Sequence, residues 1–270
     1  MPDGLRAWLW TLLLLTATAA VAGEEQTRPV APMPQTGWQT DLGVGLIANP
    51  EYQGAEDYRV LPVPYFDVRY VDARGTKLFF SVPQGFGGYL IRERLENGAR
   101  FALSAAVGPG FQNRDPEDVS GIDTFGIGLE TRIGTEYDTG PWSFQASLAK
   151  AIASGHEGMY GNLSASYRFA ISNRAFAGIG PSLRFGDDRY MSALYGVSQR
   201  ESAASGLAAF DAGSGLESVG VQGLVSFPVG DTWRFTGVAR LGRLMNDADD
   251  SSLTVEPTQA FLVVALTRRF

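Results

Sequence analysis

Residues 125–137 read FGIGLETRIGTEY, and apolar and polar side chains alternate along them. The large apolar residues share one face: Phe125, Ile127, Leu129, Ile133 and Tyr137. The opposite face carries glycine and charge: Gly126, Gly128, Glu130, Arg132, Gly134 and Glu136. A period of two indicates a β-strand with one apolar and one polar face. In a soluble sandwich the apolar face would cover a core, whereas in an outer-membrane barrel it would contact lipid.

The same alternation continues through most of the chain. It is clear in four segments and recognisable in five more: 38–47, 58–71, 101–112 and 163–171, then 142–153, 175–185, 216–227, 232–245 and 259–270. No segment of helical period competes with them after the N-terminal residues, so the sequence predicts an all-β protein.

The links between these segments alternate in length, which favours a barrel over a sandwich. The short links have the Gly, Pro, Asn and Asp chemistry of tight turns: 72–76, 96–98, 138–141, 172–174 and 228–231. The longer links are 48–57, 113–123, 154–159, 186–215 and 246–258. Tight periplasmic turns opposite larger outer loops are typical of bacterial outer-membrane barrels.

The number of strands follows from the side of the barrel on which each turn lies. Residues 76–94 lie between two short turns on one side, so they must cross the wall and return, with Pro83-Gln84-Gly85 as the turn. The sequence therefore predicts a transmembrane antiparallel up-and-down β-barrel of about twelve strands. Its predicted lumen charges are Glu130, Arg132, Glu136, Arg168 and Arg184.

Aromatic residues support the membrane interpretation. Trp38, Trp142 and Trp233 each begin a strand beside a short turn, and Tyr70 and Tyr137 end strands at the same level. Amphipathic rings at one depth form an interfacial belt, so the face of FGIGLETRIGTEY that carries Leu129 should contact lipid.

The two ends of the chain indicate export. Residues 1–22 combine Arg6, an apolar core at Ala7–Leu15 and an A-x-A site at Ala20-Val21-Ala22, as in a signal peptide. Residues 23–37 read as a periplasmic lead-in, and residues 38–270 as the barrel. The sequence thus predicts a protein exported to the outer membrane of a Gram-negative cell.

The last strand stops at an aromatic residue, Phe270, after alternating apolar positions. This ending resembles the signal that outer-membrane barrels present to the barrel assembly machinery. Arg268 departs from the usual aromatic or apolar residue, but an arginine at the membrane edge can extend to the headgroups.

Composition excludes several classes of function. Among 270 residues there is no cysteine, which argues against disulfides, thiol catalysis and zinc–thiolate sites. The net charge of −7 and the lack of a basic patch argue against nucleic acid as a partner.

Two segments resemble the MipA/OmpV family of outer-membrane proteins. The first is NPEYQGAEDYRVLPVPYFDVRY (49–70), whose matching positions are Pro50, Tyr52, Gly54, Pro62 and Pro64. The second is the long link near 190–221, whose matching positions are Tyr195, Gly196, Val197, Ser205, Gly206, Leu207, Gly213, Gly215 and Leu216. The family's usual closing Tyr-Arg-Phe is Arg268-Arg269-Phe270 here.

The resemblance implies a non-enzymatic structural or scaffolding role. It implies a lytic transglycosylase and a murein synthase as partners, besides outer-membrane lipid, lipopolysaccharide and the assembly machinery. A small-solute channel or uptake porin is the alternative, and an outer-membrane hydrolase is disfavoured because no catalytic arrangement can be assembled. No cofactor is implied.

Two features of the loops and strands leave alternatives open. Pro62 and Pro64 cannot donate to a β-ladder, so they mark either a bulge that shapes the barrel or a seam that opens laterally. Residues 186–215 are long for a structureless loop, and they should fold back over the mouth as a short helix or plug, or capture a partner.

Three clusters carry groups capable of chemistry, but each favours a structural interpretation. His156 is the single histidine and is expected to be solvated in an outer loop. The lumen carboxylates and arginines are expected to pair with one another. NDADDSS (246–252) could hold a divalent cation that bridges lipopolysaccharide, but it lacks the ligand spacing of a calcium loop and is expected to be a solvated loop.

Overall fold

The computed structural model describes residues 36–82, 84–116 and 119–270. Within them, twelve antiparallel strands form one closed barrel in which each strand pairs with its sequence neighbours and β1 pairs with β12. The strands are β1 Gly37–Pro50, β2 Tyr58–Asp72, β3 Gly75–Ser81, β4 Gly85–Arg94, β5 Arg100–Gly110, β6 Gly128–Thr139, β7 Trp142–Ala153, β8 Met159–Ser172, β9 Ala175–Gly186, β10 Gly215–Val229, β11 Trp233–Leu244 and β12 Thr258–Arg269.

Three short helices lie in the long loops: α1 Asp188–Tyr195, α2 Gln199–Ser205 and α3 Asp247–Asp250. No helix among the described residues has the length and apolarity needed to cross a membrane. The predicted signal peptide, and the predicted lead-in up to residue 35, lie outside the described residues.

The predicted two faces of the strands are confirmed. Ile133 is 57% exposed on the outside of β6, whereas Glu130, on the inner face of the same strand, is 1% exposed. The outer surface carries large exposed apolar side chains from most of the strands, among them Leu42, Val44, Phe86, Leu148, Leu163, Ile179, Val221, Leu241 and Leu262. A continuous apolar exterior of this kind is the surface that hydrocarbon solvates.

The aromatic belt is also present at one end of the barrel. Trp38 contacts Tyr70 edge to face at 5.3 Å between ring centroids, and Trp142 contacts Tyr167 at 5.2 Å. Both contacts lie beside the short turns, so we call this end of the barrel the short-turn end and the opposite end the long-loop end.

The barrel closes between the first and last strands. The pairing of β1 with β12 runs from Asp41 opposite Arg269 to Ala48 opposite Leu262. Inside the wall, Asp41 accepts hydrogen bonds from Arg69 of β2 at 2.6 Å and from Arg269 at 2.9 Å. This carboxylate therefore links three strands across the closing seam.

The predicted β6 is too long at its start. The strand begins at Gly128, and Phe125 instead forms an isolated bridge with Arg114, with backbone hydrogen bonds of 2.9 Å in both directions. A register shift against β7 at Leu129 and Glu130 releases the chain from the wall at this point. Phe125 therefore packs against the loops rather than lipid.

The predicted hairpin within residues 76–94 is confirmed, and it is short. β3 pairs with β2 only over residues 67–72 of β2, and with β4 only from Leu78 to Ser81. β3 ends level with Phe66, whose carbonyl accepts from the Val82 N–H at 3.2 Å. From this level towards the long-loop end, β3 and β4 no longer lie between β2 and β5.

Candidate functional site

The long loops fold together into a cap over the long-loop end. The loop that follows β9 turns back as α1, and its Tyr190, Met191, Leu194 and Tyr195 are completely buried. They pack with Tyr160 of β8, Leu244 of β11 and Ala248 of α3. The expectation that residues 186–215 fold back over the mouth is confirmed.

Glu217 anchors α1 to the inside of the barrel wall. This carboxylate is 1% exposed and accepts hydrogen bonds from the Tyr190 hydroxyl at 3.1 Å and the Tyr195 hydroxyl at 2.8 Å. Arg184 of β9 approaches it at 3.6 Å. Burial, together with the Glu217 charge, raises the pKa of both tyrosines well above its ordinary value, so they donate as neutral phenols.

Glu130 forms a second buried centre on β6. Its Oε2 accepts from the Tyr160 hydroxyl at 2.9 Å and from Arg132 at 3.1 Å, and its Oε1 lies 3.0 Å from His156 Nε2. The Gly158 N–H donates to His156 Nδ1, so the neutral ring carries its proton on Nε2 and donates it to Glu130.

The expectation of a solvated His156 was wrong. The side chain is 2% exposed and packs edge to face on Tyr190 at 4.8 Å and on Tyr160 at 5.6 Å. Sequence alone gave no signal for this burial, because both the Glu130 partner and the α1 ring come from distant elements. Through these contacts His156 holds the loop that follows β7 in place beneath the cap.

Arg114 joins α1 and α2 of the cap through hydrogen bonds. Its guanidinium donates to the Gly196 carbonyl at 2.7 Å, to the Ala193 carbonyl at 3.1 Å and to Glu201 at 3.0 Å. Glu201 also completes a capping box with Ser198 at the start of α2. Burial raises the pKa of Glu201, but hydrogen bonds from Ser198 and the Asp123 N–H outweigh it, so that the pKa lies below its ordinary value.

The segment 246–252 is less solvated than expected. It forms α3, and the Asp247 carboxylate accepts from the Gly213 N–H at 2.8 Å. Ser251 is buried and donates to the Tyr195 carbonyl. Among the described residues, no group of three or more His, Cys, Asp or Glu side chains is arranged to hold a metal ion.

Below the cap the lumen contains a polar pocket of about 280 Å³. Its lining comes from β3 to β11 and includes serine, glutamine and asparagine side chains beside Arg132, Glu136, Arg184 and Arg240. Four of the five predicted lumen charges thus lie in or next to this pocket. Their partners were only partly foreseen, since Glu136 accepts from Tyr89 at 3.2 Å and Arg184 approaches Glu217.

Arg168, the fifth predicted lumen charge, lies at the short-turn end. It pairs with Asp138 at 3.0 Å and donates to Ser143 at 2.5 Å. Asp138 also accepts from Arg100 at 3.1 Å, and Arg92 pairs with Asp72 at 2.6 Å. The ion pairs at this end thus join adjacent strands, as between β5 and β6, or strands one apart, as between β6 and β8 and between β2 and β4.

The sequence of this barrel matches the model of a known protein family. The family model described as "MltA-interacting protein MipA" matches residues 42–270. The chain belongs to the MipA family. With its closed barrel and apolar exterior, it is an outer-membrane β-barrel protein.

Several solved outer-membrane structures are similar at the level of the fold. OmpF of Salmonella typhi, solved with daunomycin, is 14% identical with a TM-score of 0.34, over 81% of this chain and 64% of that chain. OprB of Pseudomonas putida is 11% identical with a TM-score of 0.37, over 77% and 56% of the two chains. The CymD monoaromatic hydrocarbon channel is 10% identical with a TM-score of 0.39, over 87% and 88%.

This chain spans less than two thirds of the length of the OmpF and OprB chains. No curated protein sequence matches it significantly.

The MipA-family motif after β1 builds the cap. Pro50 ends β1, and the Tyr52 hydroxyl donates to the Leu253 carbonyl at 3.2 Å. Gly54, at a φ of +95°, accepts from the Val255 N–H at 2.8 Å. A side chain at Gly54 would meet Thr254, so this close approach of two loops requires glycine.

The MipA-family motif in the long loop has the same role. Gly196 presents its carbonyl to Arg114, and Val197 pairs with Phe210 through backbone hydrogen bonds of 2.8 and 2.9 Å. Gly206 caps α2 in the left-handed conformation, at a φ of +81°. The remaining positions of this motif end α2, continue the loop or start β10: Ser205, then Leu207 and Gly213, then Gly215 and Leu216.

Proposed function

We propose that this protein is a scaffold in the outer membrane and not an open pore. The observation that carries the proposal is the cap, in which completely buried α1 side chains are hydrogen-bonded to Glu217 on the barrel wall. A solute crossing the long-loop end would have to break these bonds. A barrel closed in this way is suited to presenting a surface rather than to conducting.

The partner of the scaffold follows from the family. The description of the family names MltA, and we infer that this chain holds a lytic transglycosylase of that type, with a murein synthase nearby. We assign the short-turn end to the periplasm, as in other bacterial barrels, so the partner would bind there. Lipopolysaccharide would surround the long-loop end.

We further infer that the barrel has no catalytic activity of its own. The single histidine of the sequence is engaged on both ring nitrogens, by Glu130 and by the Gly158 N–H. A histidine fixed in this way cannot serve as a mobile general base for a serine nucleophile.

Binding to a partner tests the scaffold directly. Purified barrel in detergent should retain a purified lytic transglycosylase of the MltA type. Charge reversal at the exposed turn residues Arg74 and Arg174 should weaken retention, while reversal at Arg200 in the cap, which is also exposed, should leave it unchanged. Retention lost equally with Arg200→Glu, or never observed, would contradict the proposal.

Planar-bilayer conductance tests the channel alternative, which the polar pocket of about 280 Å³ favours. The scaffold proposal expects no stable open level for the intact barrel. It also expects conductance to appear when residues 188–212 are replaced by a short glycine-serine link. Steady porin-like steps from the intact barrel would establish the small-solute channel instead.

A further inference from the structure

One edge of β2 lies unpaired in the outer half of the barrel wall. β2 pairs with β1 along its whole length, but its pairing with β3 begins only at Asp67. On that side, the part of the chain that the structure describes places no strand against Tyr58–Tyr65. At about 3.3 Å per residue this edge is roughly 26 Å long. We call the interruption between this edge and the end of β5 the wall gap.

The sequence of β2 is adapted to this edge. The Phe66 carbonyl faces the β3 hairpin, and in an antiparallel strand the N–H and C=O of one residue point to the same side. Residues of the same parity therefore direct their backbone groups into the wall gap, and these include Pro62 and Pro64. An unpaired N–H in hydrocarbon is costly, and the two prolines remove two of them.

The lumen behind the wall gap has an apolar side. The inner faces of four consecutive strands supply its six residues, which we call the apolar lumen wall: Val238 of β11, Phe261 and Val263 of β12, Ile47 of β1, and Leu61 and Val63 of β2. Leu61 faces inward and is nevertheless 45% exposed. Water in a lumen does not favour such a surface, so an apolar occupant would gain by covering it.

An unpaired positive charge lies where the apolar lumen wall meets the polar pocket. Arg240 pairs in register with Phe261 on one side and with Gln222, which lines the pocket, on the other. Its guanidinium has no ion pair or hydrogen bond within the described residues, and its Nε is buried without a partner. A half-buried guanidinium with no ion-pair partner is costly, and an anionic group would relieve that cost.

We propose that the lumen binds a long-chain organic acid that enters from the bilayer through the wall gap. The carboxylate pairs with Arg240, and the tail lies along the apolar lumen wall towards β2. The prolines keep the edge of β2 free, so that the tail passes between β2 and β5 while the cap stays closed. This role goes beyond the scaffold and does not depend on it.

Ligand binding tests whether Arg240 pairs with the carboxylate of the acid. Purified barrel in detergent is titrated with a fluorescent polyene fatty acid, and Arg240→Gln is compared with Arg234→Gln, which lies on the same face of β11 and is bonded to Ser226. We expect Arg240→Gln to raise Kd by roughly tenfold or more, and Arg234→Gln to leave it within about twofold. Equal effects of the two substitutions, or no binding, would overturn the proposal.

Competition separates a bilayer-borne acid from a soluble anion. A non-fluorescent long-chain acid should displace the probe, whereas acetate and the long-chain alcohol should do so poorly. Displacement by acetate at similar concentrations would mean that Arg240 binds a soluble anion. It would contradict the entry of a long-chain acid from the bilayer through the wall gap.

Photolabelling tests the route. In vesicles, a fatty acid with a diazirine in its tail should label the inward-facing Ile47, Val63 and Phe261, and the label at these sites should fall in Leu61→Trp. Ser164 and Ser182, which line the lumen on its polar side, are the matched controls. Labels confined to lipid-facing residues such as Val60 and Leu262, or spread equally over the lumen, would overturn lateral entry.

Discussion

Glu130 and Glu217 are the two carboxylates on which the cap depends at the scale of single residues. Each lies on a strand, is almost wholly buried and accepts from tyrosine hydroxyls. Glu217 binds the long loop and Glu130 binds the shorter loop that carries His156. A buried carboxylate is tolerated only when donors surround it, so these positions fix where the loops fold back.

Glu217→Gln should loosen α1. The amide keeps the shape but loses the charge that strengthens the bonds from Tyr190 and Tyr195, so we expect a loss of about 1–3 kcal/mol. Urea unfolding in detergent measures it, with protease cleavage within residues 186–215 as a local readout. Glu93→Gln, at an exposed position, should change neither, and an equal effect there would contradict this assignment.

Glu201 should make the cap sensitive to acid. Its pKa in the folded cap lies below the ordinary value of 4.5, so its stabilising contribution is complete above pH 4.5 and is lost as the pH falls through the folded value. Cleavage of residues 186–215 by an acid-tolerant protease should therefore rise below about pH 4.5. Glu201→Gln should be cleaved readily at neutral pH and lose this dependence; a mutant with the same acid transition would show that another group is responsible.

Strand alternation acts at the scale of elements, because each wall strand faces lipid and lumen in turn. β6 and β7 demonstrate it together, since Gly134 lies opposite Ser147 and the adjacent Ile133 lies opposite Leu148. Ile133 is on the outside, and Ser147 lines the pocket. The same alternation at the closing seam explains the unusual chain end: Arg269 points inward to Asp41, while Arg268 lies over the Phe270 ring at 5.1 Å.

Fluorescent labels on these two strands should report different surroundings. The chain has no cysteine, so single cysteines at 133 and 147 can be labelled cleanly. In vesicles, lipid-borne quenchers should quench the label at 133 and spare the one at 147. Ile133→Arg should also cost about 2–4 kcal/mol, more than Ser147→Arg. Equal quenching at both positions would contradict the barrel orientation.

The two ends of the whole molecule differ, with five short turns at one and the interlocked cap at the other. A label or protease applied to intact cells should therefore reach cysteines or cleavage sites introduced at exposed positions in 186–215 and 246–258. It should not reach sites in 138–141 or 228–231. The reverse pattern would mean that the short-turn end faces outward and would remove the basis for a periplasmic partner site.

Assembly of the whole barrel should depend on its last residue. The Phe270 N–H donates to the Thr40 carbonyl at 2.8 Å, and its ring is exposed at the barrel edge, where the assembly machinery could bind it. Deleting Phe270 should lower the amount of heat-modifiable barrel in the outer membrane and increase periplasmic degradation. Phe270→Tyr is the control that keeps the ring, and an unchanged level after deletion would show that the signal lies elsewhere.

The sequence by itself determined the barrel, because alternation and turn chemistry are local properties. The two faces of residues 128–137, the twelve strands, the belt at Trp38 and Trp142, and the inward direction of Glu130 and Arg132 were all predictable. A period of two assigns each side chain to a face before any partner strand is known. Even the hairpin within 76–94 followed from counting crossings.

Only the tertiary structure decided which inward groups meet. Glu217 receives α1, His156 is buried against Glu130, and Arg240 is left without a partner between the polar pocket and the apolar lumen wall. It also placed Pro62 and Pro64 on an edge of β2 that β3 ends too early to pair with. These outcomes arise from contacts between residues far apart in the chain, where registers and loop packing set the distances, and no local pattern encodes them.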